Sequence, residues 1–135
     1  MVKVVLMSHG GLASAMLKSA QMIAGDAANF YTVDMMPDDG IEGTKKKLDN
    51  VLNKIKPTEK VLLLTDLYGG TPCNVAVLEA SKNKNIEVVS GLNLPMVIEC
   101  ALSKANDGLA KHLSEIGKQS IKLVDTHVVL NSEDE

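Results

Sequence analysis

The sequence predicts an α/β protein with a mostly parallel open sheet of about four strands and helices on both faces of the sheet. Short apolar runs alternate with longer amphipathic segments, as expected for strands joined by helical crossovers. Two runs, at residues 4–7 and 61–64, are apolar throughout, which is typical of strands covered on both faces. A turn with paired glycines follows each of them. With 135 residues, one domain with a substantial core is expected.

Two strands and two helices are predicted in the first half of the chain. Residues 2–7 form the first strand, and residues 12–24 form a helix that Gly25 ends. Residues 30–35 form the second strand, which ends at a Pro-Asp-Asp-Gly turn, and residues 41–55 form an amphipathic helix. The expected buried face of the first helix comprises Leu12, Ala15, Met16 and Ile23. That of the second helix comprises Leu48, Val51, Leu52 and Ile55.

The third and fourth strands are predicted at residues 61–65 and 86–90. The helix between them opens at Thr71 and Pro72. Threonine is a favourable N-cap residue and proline suits the first helical position, so we expect Thr71 at the N-cap.

Two further helices are expected at about residues 96–104 and 107–118, separated by an Asn-Asp-Gly turn. The apolar run at residues 121–124 predicts an edge strand. We divide the chain into one domain, residues 1–124, and a C-terminal tail, residues 125–135, whose acidic end is expected to be disordered.

Composition and charge exclude several classes of function. A net charge of -3 gives no positive field for nucleic acid, and three aromatic residues offer few platforms for stacked bases. No stretch approaches the roughly 20 apolar residues that a membrane-spanning helix needs, and the N-terminal apolar run is too short for a signal peptide. Cys73 and Cys100 lack CxxC spacing and lie in apolar helical patterns, which indicates structural, reduced thiols. We therefore expect a cytoplasmic protein without nucleic-acid binding or direct membrane insertion.

The candidate catalytic residues are His9 and Asp66, which follow the two fully apolar strands. The carboxyl ends of parallel strands meet at one edge of a sheet, where ligands bind. A neutral imidazole can accept and release a phosphoryl group, and a carboxylate can fix its tautomer. The pair therefore predicts a phosphohistidine site. The alternative is a strand-end histidine with an incidental polar contact.

The candidate phosphate-binding residues lie in the adjacent turns: Gly10, Gly11, Gly69, Gly70 and Thr71. Backbone N–H groups at a helix start attract anions, and glycine lets an anion approach the backbone closely. The Thr71 hydroxyl adds a further donor. A tight turn with an N-cap is the structural alternative. No P-loop motif occurs, and no cofactor is predicted.

Other polar residues have simpler explanations. His112 and His127 have no partner at metal-ligand spacing, so they are expected at the surface and no metal site is predicted. The lysines at residues 45–47 form a solvated helix face or a docking patch for an acidic partner. The second strand is followed by acidic residues that either rim the crevice or serve turns and caps: Asp34, Asp38 and Asp39.

Three segments together carry a resemblance to a known family: VVLMSHGGLASAML, VLLLTDLYGGTPCNVA and VVSGLNLPMVIE. With them, the chain resembles, to about Val124, the mannose-family (mannose/fructose/sorbose) EIIA domain of the bacterial phosphoenolpyruvate-dependent sugar phosphotransferase system. The resemblance implies a phosphotransferase component in which His9 takes a phosphoryl group from phosphohistidine on HPr. The group then passes to an EIIB component for coupled sugar uptake. The resemblance also implies that Asp66 orients His9 and that Thr71 lies near the phosphate.

The same resemblance implies a homodimer in which a C-terminal strand crosses the interface, here residues 121–124. No EIIB domain follows in this sequence, so a separate EIIB polypeptide is expected. Two alternative functions remain. One is a histidine-dependent phosphohydrolase, although Ser8 stands where such enzymes carry an arginine and the basic residues are lysines. The other is a regulatory module whose partners sense phosphorylation of His9.

Overall fold

The computed structural model of the chain describes residues 1–104 and 106–127. Within these ranges, the strands are β1 (Lys3–His9), β2 (Tyr31–Met35), β3 (Val61–Thr65) and β4 (Ile86–Ser90). The α-helices are α1 (Leu12–Ala24), α2 (Gly40–Leu52), α3 (Thr71–Lys82), α4 (Leu94–Leu102) and α5 (Leu109–Gln119). The strands are parallel and lie in the order β2-β1-β3-β4. The predicted α/β fold with a parallel sheet is confirmed.

Both faces of the sheet are covered by helices. The apolar side chains at even positions of β1 and β3 pack against α1, α4 and α5, and those at odd positions pack against α2 and α3. Because the side chains of a strand alternate between the two faces, a strand covered on both sides must be apolar at every position. This explains the uninterrupted apolar runs of the two central strands.

The central strands β1 and β3 form a topological switch point. They are neighbours in the sheet, but α1 leaves β1 on one face and α3 leaves β3 on the other. In open parallel sheets, diverging connections of this kind leave a crevice beyond the carboxyl ends of the strands, where ligands bind. His9 is the last residue of β1 and Asp66 directly follows β3, so both stand at this crevice.

The start of α3 differs by one position from the expectation. Thr71 is the first helical residue, Gly70 occupies the N-cap position, and no side chain caps the helix. The prediction of Thr71 as the N-cap is therefore wrong. Gly70 has the extended conformation of an N-cap residue, with φ −75° and ψ 167°. Consequently, the Thr71 hydroxyl is left without a capping role.

The helix α1 has the predicted bounds, but three of the four residues assigned to its buried face are wrong. Leu12 and Ile23 are 46% and 55% exposed, and Ala15 is exposed as well; only Met16 packs partly against the core. The buried positions are Ala13 and Ala20, which lie two turns apart on the face toward α4. Small side chains allow close packing there, and an alanine-rich pattern does not distinguish that face by hydrophobicity. By contrast, the inward residues predicted for the second helix are buried or partly buried.

The predicted edge strand at residues 121–124 is not a strand in this chain. Ile121, Leu123 and Val124 are 82%, 102% and 72% exposed. A strand requires a partner edge for its backbone hydrogen bonds, and this segment lies against none within the described residues. Residues 125–127 form neither strand nor helix, and the rest of the predicted tail lies outside the described residues.

Both cysteines are buried free thiols, consistent with their expected packing role. Burial raises the pKa of the Cys100 thiol to about 12, so the thiol stays protonated near neutral pH. None of the helices in the described part of the chain is long and apolar enough to cross a membrane.

Candidate functional site

His9 and Asp66 are in direct contact at the crevice. One carboxylate oxygen, Asp66 Oδ2, lies 2.9 Å from the ring nitrogen Nδ1 of His9 and 2.9 Å from the backbone nitrogen of the same residue. The His9 side chain is 42% exposed and that of Asp66 is 11% exposed. An ionised carboxylate only accepts hydrogen bonds, so this contact assigns the ring proton to Nδ1. The other nitrogen, Nε2, then carries a free lone pair.

The sheet itself brings the two side chains together. The Asp66 N–H donates to the carbonyl of Met7 at 3.1 Å, which continues the β1–β3 hydrogen bonding one residue past the end of β3. Asp66 is thereby held level with the end of β1. His9 pairs in register with Met35 of β2 on the other side. The geometry of the pair is therefore set by strand register rather than by a flexible loop.

Gly70 packs against the imidazole of His9. A methyl group at Gly70 would lie 2.7 Å from His9 Cε1 and 3.4 Å from Nε2. These short approaches place the free nitrogen beside the first residues of α3.

The start of α3 presents unpaired hydrogen-bond donors near this nitrogen. The backbone N–H groups of Gly69 and Thr71 have no acceptor among the described residues, and neither has the Thr71 hydroxyl. The Gly70 N–H, by contrast, donates to the carbonyl of Leu67 at 3.0 Å. Unpaired N–H groups at a helix N-terminus attract an anion, and the helix dipole adds to the attraction.

The start of α1 is occupied by protein groups, although its sequence resembles that of the α3 turn. The buried Ser8 hydroxyl accepts from the Ala13 N–H at 2.7 Å, and the Asp34 carboxylate accepts from both the N–H and the hydroxyl of Ser14. The Gly10 N–H donates to the Met35 carbonyl at 2.7 Å. Of the five residues predicted to bind phosphate, Gly10 and Gly70 thus have no free N–H, whereas Gly11, Gly69 and Thr71 keep theirs within the described structure. Asp34 therefore caps the start of α1, which was the structural alternative considered for this residue.

The loop after β2 is held by an ion pair that sequence analysis missed. Lys47 Nζ lies 2.6 Å from Asp39 Oδ2 and 2.9 Å from the carbonyl oxygen of Asp34, and Asp39 also accepts from the Met36 N–H. The hydrogen bond from Lys47 lowers the pKa of the Asp39 carboxyl below its ordinary value of 3.8. Of the three consecutive lysines, Lys47 therefore has a structural partner. Asp39 and Lys47 are eight residues apart, on either side of the turn into α2. The spacing of three or four residues that is typical of ion pairs within a helix therefore did not predict this pair.

The other histidines lie away from the crevice. His112 Nε2 is 2.8 Å from Glu99 Oε2 on the exposed surface between α4 and α5. The backbone N–H of His127 contacts Asp125. In the part of the chain that the structure describes, no group of three or more potential ligand side chains is placed to hold a metal ion.

Comparisons with known proteins identify the family. The family EIIA-man, described as "PTS system fructose IIA component", matches residues 3–117. The sorbose-specific EIIA component of Lacticaseibacillus casei is 31% identical over 119 residues, which cover 87% of this chain and 84% of that protein. The fructose-specific EIIA component of Bacillus subtilis is 28% identical, with 95% and 90% covered. The mannose-specific EIIAB component of Escherichia coli is 30% identical, but the match covers 90% of this chain and only 39% of that longer protein.

Solved structures agree with this assignment. The mannose/sorbose-specific IIA subunit from Enterococcus faecalis superposes with a TM-score of 0.90 at 41% identity and covers 95% of this chain and 98% of that one. The EIIA component from Streptococcus agalactiae gives a TM-score of 0.79 at 27% identity, with 94% and 98% covered. The chain therefore belongs to the mannose-type EIIA family, whose members are phosphotransferase components of the sugar phosphotransferase system.

Proposed function

We propose that His9 is the phosphoryl carrier of this protein, which accepts the group from phosphohistidine on HPr and passes it to an EIIB component for coupled sugar uptake. The observation that carries the proposal is the arrangement of the imidazole. Asp66 holds Nδ1 and leaves Nε2 free beside the unpaired donors of α3. Family membership supplies the context for the transfer.

The proposed transfer exchanges one phosphorus–nitrogen bond for another. The lone pair of His9 Nε2 attacks the phosphorus atom, and the bond to the donor histidine breaks with its electron pair returning to the leaving imidazole. The proton on His9 Nδ1 stays in place, hydrogen-bonded to Asp66 Oδ2. Since positive charge develops on the His9 ring, the carboxylate at 2.9 Å stabilises both the transition state and the phosphorylated ring. Transfer to EIIB follows the same steps in reverse.

The phosphoryl oxygens are proposed to bind at the start of α3. The N–H groups of Gly69 and Thr71 and the Thr71 hydroxyl are the available donors, and Gly11 offers one more across the crevice. Because the Asp34 carboxylate already occupies the start of α1, the positive end of α3 is the more favourable place for the anion. The proposal assigns Gly10 a conformational role, since its φ of +56° suits glycine.

The surface around the crevice is suited to docking protein partners. Large apolar side chains are exposed in the segments that follow the ends of β1, β2 and β3: Leu12, Met36, Leu67 and Tyr68. Such an apolar rim around a partly exposed histidine fits a brief contact with another folded protein. The free buried thiols support a reducing, cytoplasmic location for this exchange.

We also propose that the protein acts as a homodimer through residues 121–124. The outer edge of β4 has no neighbouring strand among the described residues, and an open cavity of about 560 Å³ lies beside it, lined in part by Val88, Ser90 and Lys111. The exposed apolar residues Ile121 and Leu123 alternate with Lys122, as in a strand with one buried face. A second copy would supply a strand for this edge, and the added strand would remove an exposed sheet edge.

The test is phosphorylation by the purified carriers. We incubate the protein with labelled phosphoenolpyruvate, enzyme I and HPr and locate the label by mass spectrometry. Acid-labile phosphate on His9 is expected, and His9→Ala should abolish it. His112→Ala is the matched control, because His112 also contacts a carboxylate but lies away from the crevice.

The outcomes separate the competing functions. Absence of label on His9 with active carriers would contradict the proposal. Rapid, steady release of inorganic phosphate without an acceptor would favour a phosphohydrolase. Transfer of the label to EIIB would support the carrier.

A further inference from the structure

The backbone of Gly70 does not explain why this position is a glycine. Its φ of −75° and ψ of 167° are accessible to any L-residue, in contrast to Gly69, whose φ is +79°. Its N–H makes an ordinary turn hydrogen bond to Leu67. The remaining constraint is steric, because a Cβ atom here would lie 2.7 Å from His9 Cε1 and 3.3 Å from the Leu67 carbonyl oxygen.

We propose that Gly70 is a positioning residue for His9, whose Cα surface holds the imidazole in the orientation needed for transfer. The inference rests on the proposed function of His9 as the phosphoryl acceptor. This positioning role replaces the phosphate-binding role expected from sequence, because the Gly70 N–H donates to the Leu67 carbonyl and is not free for phosphate.

The ring is held at two adjacent atoms. Asp66 binds it at Nδ1, and Gly70 contacts it at Cε1, the carbon between the two nitrogens. Together Asp66 and Gly70 limit rotation of the ring, which keeps Nε2 beside the start of α3. Gly70 thus acts through His9 rather than on the phosphoryl group.

A methyl group at this position must displace the ring or the start of α3. Ordinary van der Waals contact begins near 3.4 Å, so a carbon at 2.7 Å forces a movement of roughly 0.7 Å. Displacement of a reacting atom by about 1 Å can lower a rate about 100-fold. We expect Gly70→Ala to lower the single-turnover rate constant at saturating phospho-HPr about 10- to 100-fold. The phospho-HPr concentration at half-saturation should be unchanged, because the docking surface is intact.

The matched control is Gly117→Ala. Gly117 lies in α5, and a Cβ there would also meet a close neighbour, Met96 Cε at 2.9 Å, but it would not contact His9. This variant should keep a rate within about twofold of the wild type. Comparable losses of rate in the two variants would indicate that any steric disturbance of the fold slows transfer, and would overturn the specific role of Gly70.

Two further measurements are independent of phosphoryl transfer. In the wild type, NMR should show a nuclear Overhauser effect between the His9 Cε1 proton and the Gly70 Cα protons. In Gly70→Ala, the His9 ring nitrogen resonances should shift, whereas in Gly117→Ala they should not. The thermal destabilisation caused by Gly70→Ala should also shrink in a His9→Ala background, where the obstructing ring is gone.

These readouts distinguish failure of the inference from failure of the proposed function. One outcome is that His9 remains unphosphorylated while the NMR contact and the thermodynamic coupling are both found. In that case the proposed function fails, and Gly70 packs against His9 without any role in phosphoryl transfer. If His9 is phosphorylated and Gly70→Ala transfers at the wild-type rate, the positioning role is overturned. Equal destabilisation in both backgrounds, or an absent Overhauser effect, would overturn it even if the single variant folds poorly.

Discussion

Asp66 binds His9 through a single oxygen, Oδ2, which accepts from both the backbone N–H and Nδ1 of the histidine at 2.9 Å. The main chain at the end of β1 and the ring attached to it are therefore fixed by the same atom. The second oxygen, Oδ1, is buried and has no hydrogen-bond partner among the described residues. The carboxylate is thus directed wholly at the histidine, and rotating it away would break both bonds.

Replacement of Asp66 by asparagine should slow phosphoryl transfer about 100-fold or more while leaving the fold intact. An amide has nearly the shape of the carboxylate, but it lacks the negative charge that stabilises positive charge on the ring. Single-turnover transfer from phospho-HPr measures the effect. Asp107→Asn is the control, since Asp107 pairs with Lys60 on the exposed surface. A rate within twofold of the wild type for Asp66→Asn would contradict the assigned role.

The Thr71 hydroxyl is expected to contribute to phosphate binding. Thr71→Val keeps the shape of the side chain but removes the hydroxyl, and loss of one hydrogen bond to a charged group should lower the transfer rate about tenfold. Thr71→Ser retains the hydroxyl and should restore most of the rate. A loss in the serine variant together with a wild-type rate in the valine variant would instead indicate a packing role for the threonine methyl group.

The ion pair between Lys47 and Asp39 should stabilise the fold only where Asp39 is ionised. Its pKa is lowered in the folded state, so the stabilisation is present above the ordinary value of 3.8 and is lost as the pH falls through the lowered folded value. Urea unfolding of wild type and Lys47→Gln as a function of pH measures this. The difference in free energy of unfolding should fall in acid to the part contributed by the hydrogen bond from Lys47 to the Asp34 carbonyl. Lys46→Gln, at an exposed position, should show little difference at any pH. A difference for Lys47→Gln that does not change with pH would argue against the pair.

Residues 121–124 should mediate self-association. Leu123→Lys places a charge on the apolar face of the proposed exchanged strand and should shift a dimer toward monomer in light scattering coupled to size-exclusion chromatography. Met22→Lys is the matched control, because Met22 is also a highly exposed apolar residue but lies on α1. A wild-type protein that is monomeric at all concentrations tested would contradict the proposed dimer.

Several elements could be predicted from sequence because their signals are local. The third and fourth strands have the predicted bounds, since an apolar run flanked by turn residues marks both of their ends. The buried face of α1 could not be predicted, because alanine is similarly tolerated on either face and only the approach of α4 selects Ala13 and Ala20. The segment at residues 121–124 has a strand pattern but no partner edge within this chain.

By itself, the sequence determined the α/β fold and the meeting of His9 and Asp66 at one edge of the sheet, because runs of buried strand residues and the rules of parallel connection depend on local pattern. Only the tertiary structure decided which of two similar glycine turns stays open. At α1 the N–H groups of Gly10, Ala13 and Ser14 are bound by the Met35 carbonyl, Ser8 and Asp34. At α3 the N–H groups of Gly69 and Thr71 have no partner among the described residues. The steric role of Gly70 also depends on the tertiary structure, which brings this residue next to His9. Hydrogen-bond partners and close contacts come from residues distant in sequence, so they exist only once the strands are in register.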